Sequence, residues 1–188
     1  YDAKALKNII TGYDFFHEGR KIRQGGGVGV LVSKEISAES EMCQLVRSSV
    51  KFVDEQFENV IVRIPGCVTN ANNIKKDLLI VAIYRQPNSQ NLSTFINNLE
   101  HLLKVIDKPS NELIIAGDMN LDLLKHENHL QTSQYLDIMT NHGLIPRIVR
   151  PTRIKNMSAT LIDHIFSRDN SMTLVSGILD VELSGNSG

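Results

Sequence analysis

The sequence predicts a mixed α/β sandwich in which helices cover apolar β-sheets. Three observations predict it. "DLLIVAI" and "ELIIAG" are apolar runs of strand length, as expected of strands covered on both faces. An amphipathic helical pattern separates them, as expected of a helix that covers an apolar sheet. "FENVIVRIP" alternates apolar and polar residues, as a strand buried on one face does.

The elements follow in order. Residues 1–26 are mixed, with "NIITGYDFF" as their one apolar cluster. "QGGGVGVLVS" leads through three glycines into a strand over 28–33. "CQLVRSSV" (43–50) and "FENVIVRIP" (57–65) are further strands, and Pro65 and Gly66 should stop the second. "CVTNANNIKKD" is polar and fits a hairpin loop. The strand over 78–84 ends before Pro87 and Asn88. In the helix after it, Leu92, Phe95, Ile96, Leu99, Leu102, Leu103 and Ile106 recur at helical spacing. Ser89 or Asn91 can cap its start, and Pro109 lies just past its end.

"ELIIAGDMN" is the next strand and its turn. A second helix fits "SQYLDIMTNHG", with Thr132 or Ser133 as cap and Gly143 as stop. Then come a short strand, a polar hairpin, a strand over 160–167 and a last strand over 172–175. "LSGNSG" is a polar tail.

Composition narrows the class. At 188 residues, 41% hydrophobic and 22% charged, the chain is an ordinary globular domain with room for a core. A net charge of -1 gives no global field for nucleic acid, although a local basic patch remains compatible with it. Cys43 and Cys67 are the only cysteines, which excludes a disulfide framework and fits a reducing, nuclear or cytoplasmic setting. No apolar run has the length of a membrane span, and no secretory signal opens the chain. The first residue is Tyr1, so a piece of a longer protein is expected.

Three strand ends carry polar equipment: Tyr84 and Arg85, Asp118 and Asn120, and Asp163 with His164. Sites in α/β proteins gather at such ends. Each also has an ordinary reading. "GDMN" is good turn material, Tyr84 can be an aromatic with a wet hydroxyl, and Asp163 can be a buried carboxylate, which must then have a partner. "QGGGVGV" is no phosphate-binding loop, because it enters a strand. His126 and His129 in "HENH" lack zinc spacing and read as a surface loop. His101 reads as a partly exposed helix position, and alternation turns His164 to the sheet face opposite Asp163.

Together, "IYRQPN", "LIIAGDMN" and "SATLIDHIF" resemble the endonuclease/exonuclease/phosphatase superfamily. The detail resembles the apurinic-type endonuclease domain of LINE-type non-LTR retrotransposons, and "GGGVGVLVSKEI" and "RPTRI" are similar to its glycine-led strand and target-contacting hairpin. The resemblance covers roughly residues 12–184, read as one partial domain over 1–184 with a remnant tail at 185–188.

The resemblance implies a four-layer, DNase I-like sandwich of two mixed sheets flanked by helices, here lacking the first strands. It implies Mg²⁺- or Mn²⁺-dependent phosphodiester hydrolysis, nicking DNA to leave a 3′-hydroxyl primer, with a reverse transcriptase domain in the same parent chain. By resemblance Asp118 takes the proton of the attacking water and Asn120 orients water and phosphate, and these two are the metal-side residues. Tyr84 hydrogen-bonds the phosphate, and Asp163 orients a later histidine. These residue types suit the chemistry, since a carboxylate base activates water and polar donors meet the charge that develops on phosphate. Arg85, Arg150, Arg153 and Lys155 supply charge for DNA, and Thr152 and Thr160 can donate to phosphates; a solvated basic loop is the plainer alternative.

The family's Asn and metal-binding Glu fall upstream of "TGYDFF". Its terminal Asp-His pair is matched after Ser184 by Gly185 and Asn186. Weak or absent activity of these residues alone is therefore expected. The alternatives are a catalytically dead remnant that binds DNA or protein, and a phosphatase of the same superfamily.

Overall fold

A computed structural model of the chain describes residues 10–19, 27–36, 57–69, 72–87, 92–155, 157–168 and 176–178. In chain order the elements are β1 (Tyr13–Gly19), β2 (Gly27–Ser33), β3 (Phe57–Thr69), β4 (Lys75–Arg85), α1 (Leu92–Ile106), β5 (Asn111–Asp118), α2 (Leu130–Asn141), β6 (Leu144–Pro146), β7 (Arg153–Lys155), β8 (Ser158–Thr160) and β9 (Asp163–Arg168). The strands expected over 43–50 and 172–175, the caps at Ser89 and Asn91, and residues 184–186 lie outside the described residues.

The central sheet has five strands in the order β3-β4-β5-β9-β6. Only the β4–β5 pair is parallel, joined across α1; the others are antiparallel. Side-chain alternation divides the sheet into two apolar faces. One carries Leu79, Val81, Ile83, Leu113, Ile115 and Phe166 against α1 and α2. The other carries Val60, Val62, Ile64 and Leu78, which meet Val32 and the partly buried Phe16, Val28 and Val30 of the β1–β2 hairpin. Burial on both sides is why β4 reads as an unbroken apolar run. The result is a mixed α/β structure of two packed sheets with helices on the larger one.

Helix α1 buries Phe95, Ile96, Leu99, Leu102, Leu103 and Ile106 along one stripe. Each such side chain contributes roughly 1.5–3 kcal/mol of transfer energy, so this stripe is what fixes the helix to the sheet.

Three sequence expectations need correction, and one element is added. Pro65 and Gly66 do not end β3, which continues to Thr69 past an irregularity between Ile64 and Val68. There Gly66 has φ +56, and its N–H donates to Asp77 Oδ1 at 2.8 Å, so a bulge absorbs the breakers. "YDFF", left unassigned above, is β1. The cap of α2 is His129, whose imidazole accepts from the Thr132 N–H at 3.3 Å, while Thr132 itself is buried. Finally, β9 starts at Asp163, not at 160.

Candidate active site

The end of β5 is built around Gly117. Its φ is +145, and a Cβ there would fall 1.8 Å from the Ile83 carbonyl oxygen, so only glycine fits this close approach to β4. The chain then alternates direction. Asp118 faces the β1–β2 side, Met119 inserts fully buried into the helix-side core, and Asn120 turns back at φ +47, a left-handed conformation that Asn tolerates. The Asn120 N–H donates to Asp118 Oδ1 at 3.0 Å, closing a side-chain turn, and its amide nitrogen donates to the Arg85 carbonyl at 2.7 Å.

Asp118 and Asp163 are register partners across β5 and β9, so their carboxylates share one face. Tyr84 lies on that face too. The parallel register pairs Ala82 with Ala116, and two residues further along each strand stand Tyr84 and Asp118. Three of the four expected catalytic residues thus converge at one end of the sheet, and Asn120 adjoins them. Burial chiefly pushes the Asp118 carboxyl up, and the Asp163 charge adds to it; hydrogen bonds from Asn120 and the Arg85 charge pull the other way.

Two expectations change. Asp163 is exposed, because it is the first residue of β9 and sits at the sheet's end rather than within it. It therefore needs no buried partner. Arg85 is 3% exposed, with its guanidinium turned to the helix side over the Phe95 ring. Its Nε donates to the Met119 carbonyl at 2.7 Å and one terminal nitrogen to the Asn120 carbonyl at 2.8 Å. It braces the "GDMN" loop from behind and is not displayed as a surface phosphate contact.

His164 is buried on the helix side, as alternation requires. Its Nδ1 meets the Tyr135 hydroxyl at 3.1 Å and its Nε2 lies 3.0 Å from the Leu121 carbonyl. Burial pulls its pKa down, so it is neutral at physiological pH. Asp122 is a second brace: its Oδ1 accepts from the Leu161 N–H at 3.0 Å.

The basic hairpin stands beside the row. Thr152 ties it down, its N–H bonded to the Thr160 carbonyl at 3.0 Å and its Oγ1 accepting the Ile162 and Asp163 N–H groups at 3.2 and 3.1 Å. Only its own O–H is left to donate. Arg150, Arg153 and Lys155 are exposed, and Thr160 is half-buried. A cavity of about 350 Å³ opens behind the loop, lined by Arg85, Asn120, Asp122, Lys125, His129 and Thr132.

Sequence reading missed Glu58. It is 8% exposed and is the register partner of Tyr84 on the same face. The alternation of "FENVIVRI" gives its face, but its neighbour depends on the β3–β4 register, which the bulge shifts.

Hard oxygen donors suit Mg²⁺, which needs one or two carboxylates and keeps its waters. The Asp118 carboxylate fits that demand, with Asn120 bonded to it and Asp163 as its register partner on the same face. Among the described residues no cluster of three His, Cys, Asp or Glu side chains forms a larger site. No helix among them is long and apolar enough to cross a membrane.

Two packed sheets with helices, and carboxylates at the strand ends, define the fold of the endonuclease/exonuclease/phosphatase superfamily. Comparison with known proteins gives the particular branch. Residues 78–184 match the sequence model of the endonuclease-reverse transcriptase family, and the chain belongs to that family. The endonuclease domain of TRAS1, a telomere-specific non-LTR retrotransposon, superposes with TM-score 0.59 at 15% identity, covering 84% of this chain and 65% of that one. The Xenopus laevis APE2 catalytic domain gives 0.59 at 18% identity, covering 85% and 67%. D. rerio TDP2 complexed with a single-strand DNA product gives 0.53 at 14% identity, covering 89% and 66%. The chain thus spans 65% of the TRAS1 domain's length. No curated protein matches the sequence.

Proposed function

We propose that this chain, read as one domain over residues 1–184, is the DNA endonuclease part of a retroelement protein. It would hydrolyse a phosphodiester to leave a 3′-hydroxyl primer for a reverse transcriptase in the same parent chain. The observation that carries the reading is the register pairing of Asp118 with Asp163 beside Tyr84 on one face. In this reading Asp118 takes the proton of the attacking water. Its raised pKa makes it a stronger base than an ordinary aspartate. The Asn120 N–H holds Asp118 in place, and its carboxamide, anchored through the nitrogen to the Arg85 carbonyl, would orient water and phosphate. The Tyr84 hydroxyl donates to the phosphate oxygens as charge builds there. Asp163 is the second carboxylate. Asp118 and Asn120 would hold Mg²⁺ or Mn²⁺, which would supply charge neutralisation for the phosphate. Arg150, Arg153, Lys155 and the hydroxyls of Thr152 and Thr160 would meet the DNA backbone.

The family's terminal Asp-His pair is Gly185 and Asn186 here, so the activity of these 188 residues alone is proposed to be low. The test is nicking of supercoiled plasmid by this chain and by the longest natural protein that carries it. The longer protein should nick with Mg²⁺, stop in chelator and leave a 3′-hydroxyl. Nicking that survives chelation, or none from the longer protein, overturns the reading.

A further inference from the structure

We propose that Glu58 is a positioning residue for Tyr84, an inference that rests on the phosphodiesterase reading above. Glu58 and Tyr84 are antiparallel register partners on β3 and β4, so the two side chains stand next to each other on one face. That face is the one carrying Asp118 and Asp163. The order across the sheet is therefore Glu58, Tyr84, Asp118, Asp163, one residue on each of four neighbouring strands about 4.8 Å apart.

Burial sets Glu58 apart from an ordinary strand acid. At 8% exposed it follows Phe57 and precedes the buried Val60 and Val62 of its own strand. Glutamate is almost never so buried without a polar neighbour that uses it. Its register neighbour is the one phenol in the row. A tyrosine that donates to phosphate needs its ring held and its hydroxyl aimed. A carboxylate alongside does both by accepting the O–H when no substrate is bound. When phosphate arrives, the same O–H turns to the better-placed oxygen, and the ring does not have to move. Glu58 touches neither substrate nor metal in this arrangement and acts through Tyr84.

The variants that test this are Glu58→Gln, which keeps the shape and removes the charge, Tyr84→Phe, and the double variant. In plasmid nicking by the longest natural protein, Glu58→Gln should lower kcat about tenfold, the scale of one charged hydrogen bond, with KM for DNA within about twofold. In the Tyr84→Phe background the same change should cost nothing further, because its effect runs through the missing hydroxyl. Additive losses in the cycle overturn the proposal. A second measurement stands whether or not the protein nicks. With ring-labelled tyrosine, Glu58→Gln should move the Tyr84 carbon signal and leave that of Tyr135, which is buried on the helix side, in place. An unmoved Tyr84 signal overturns the proposal even if nicking is observed. Absence of nicking with a moved Tyr84 signal removes the phosphodiesterase reading and leaves the Glu58–Tyr84 pairing standing.

Discussion

The two faces of the five-stranded sheet carry polar side chains at the same strand ends and use them in opposite ways. On the helix side, Arg85, His164 and Tyr135 are buried, and their hydrogen bonds go to loop carbonyls or to one another. On the other side, Tyr84 and Asp118 are half-buried and Asp163 is exposed. Arg85 follows Tyr84 and His164 follows Asp163 directly in sequence, so strand alternation alone assigns one of each pair to bracing and the other to the open row. The braced face holds the "GDMN" loop rigid, and the open face presents its carboxylates.

Substitutions can break that division at points of decreasing force. Gly117→Ala should be the most damaging, because the new Cβ meets the Ile83 carbonyl at 1.8 Å in a backbone conformation that alanine avoids. A loss on the order of 3 kcal/mol in chemical denaturation is expected. Arg85→Met should cost about 2–3 kcal/mol by stranding the Met119 and Asn120 carbonyls. Arg85→Lys should recover only part of it, since one ammonium cannot reproduce the two-point fork. Tyr135→Phe removes one buried hydrogen bond to His164 and should cost about 1 kcal/mol.

The faces should also separate by pH. The raised Asp118 pKa means that its contribution to stability is complete at low pH and is lost as pH rises through that raised value. Asp77 behaves oppositely. The Gly66 N–H and Arg63 hold its pKa down, so its contribution is present above the ordinary carboxylate value and is lost as pH falls through the lowered one. Melting curves of Asp118→Asn and Asp77→Asn between about pH 3 and pH 7 should flatten these two slopes in opposite senses. The smallest effect is expected in the hairpin. Arg153→Ala with Lys155→Ala should leave the melting temperature unchanged and reduce the salt slope of DNA binding by about one per lost phosphate contact.

Much of this was legible in the sequence. Apolar periodicity gave α1 and the cores of β2, β4 and β5, because burial on a regular element leaves a regular pattern. It also assigned His164 to the face opposite Asp163. The misses were of another kind. Pro65 and Gly66 read as a stop, yet a bulge bonded to Asp77 carries β3 past them. The roles of Arg85 and Glu58 depend on which strand lies beside which, and no local pattern records that. Asp163 read as buried because its neighbours are apolar, whereas its position at the end of the sheet decides its exposure.

The most direct test of the division is Asp118→Asn, followed by Mg²⁺-dependent nicking and thermal melting on the same preparation of the longest natural protein. If the open face is for chemistry and the helix side for support, nicking should fall by about 10²–10⁴-fold while the melting temperature at neutral pH stays level or rises. Nicking that persists, or a loss accompanied by a lower melting temperature, would contradict it.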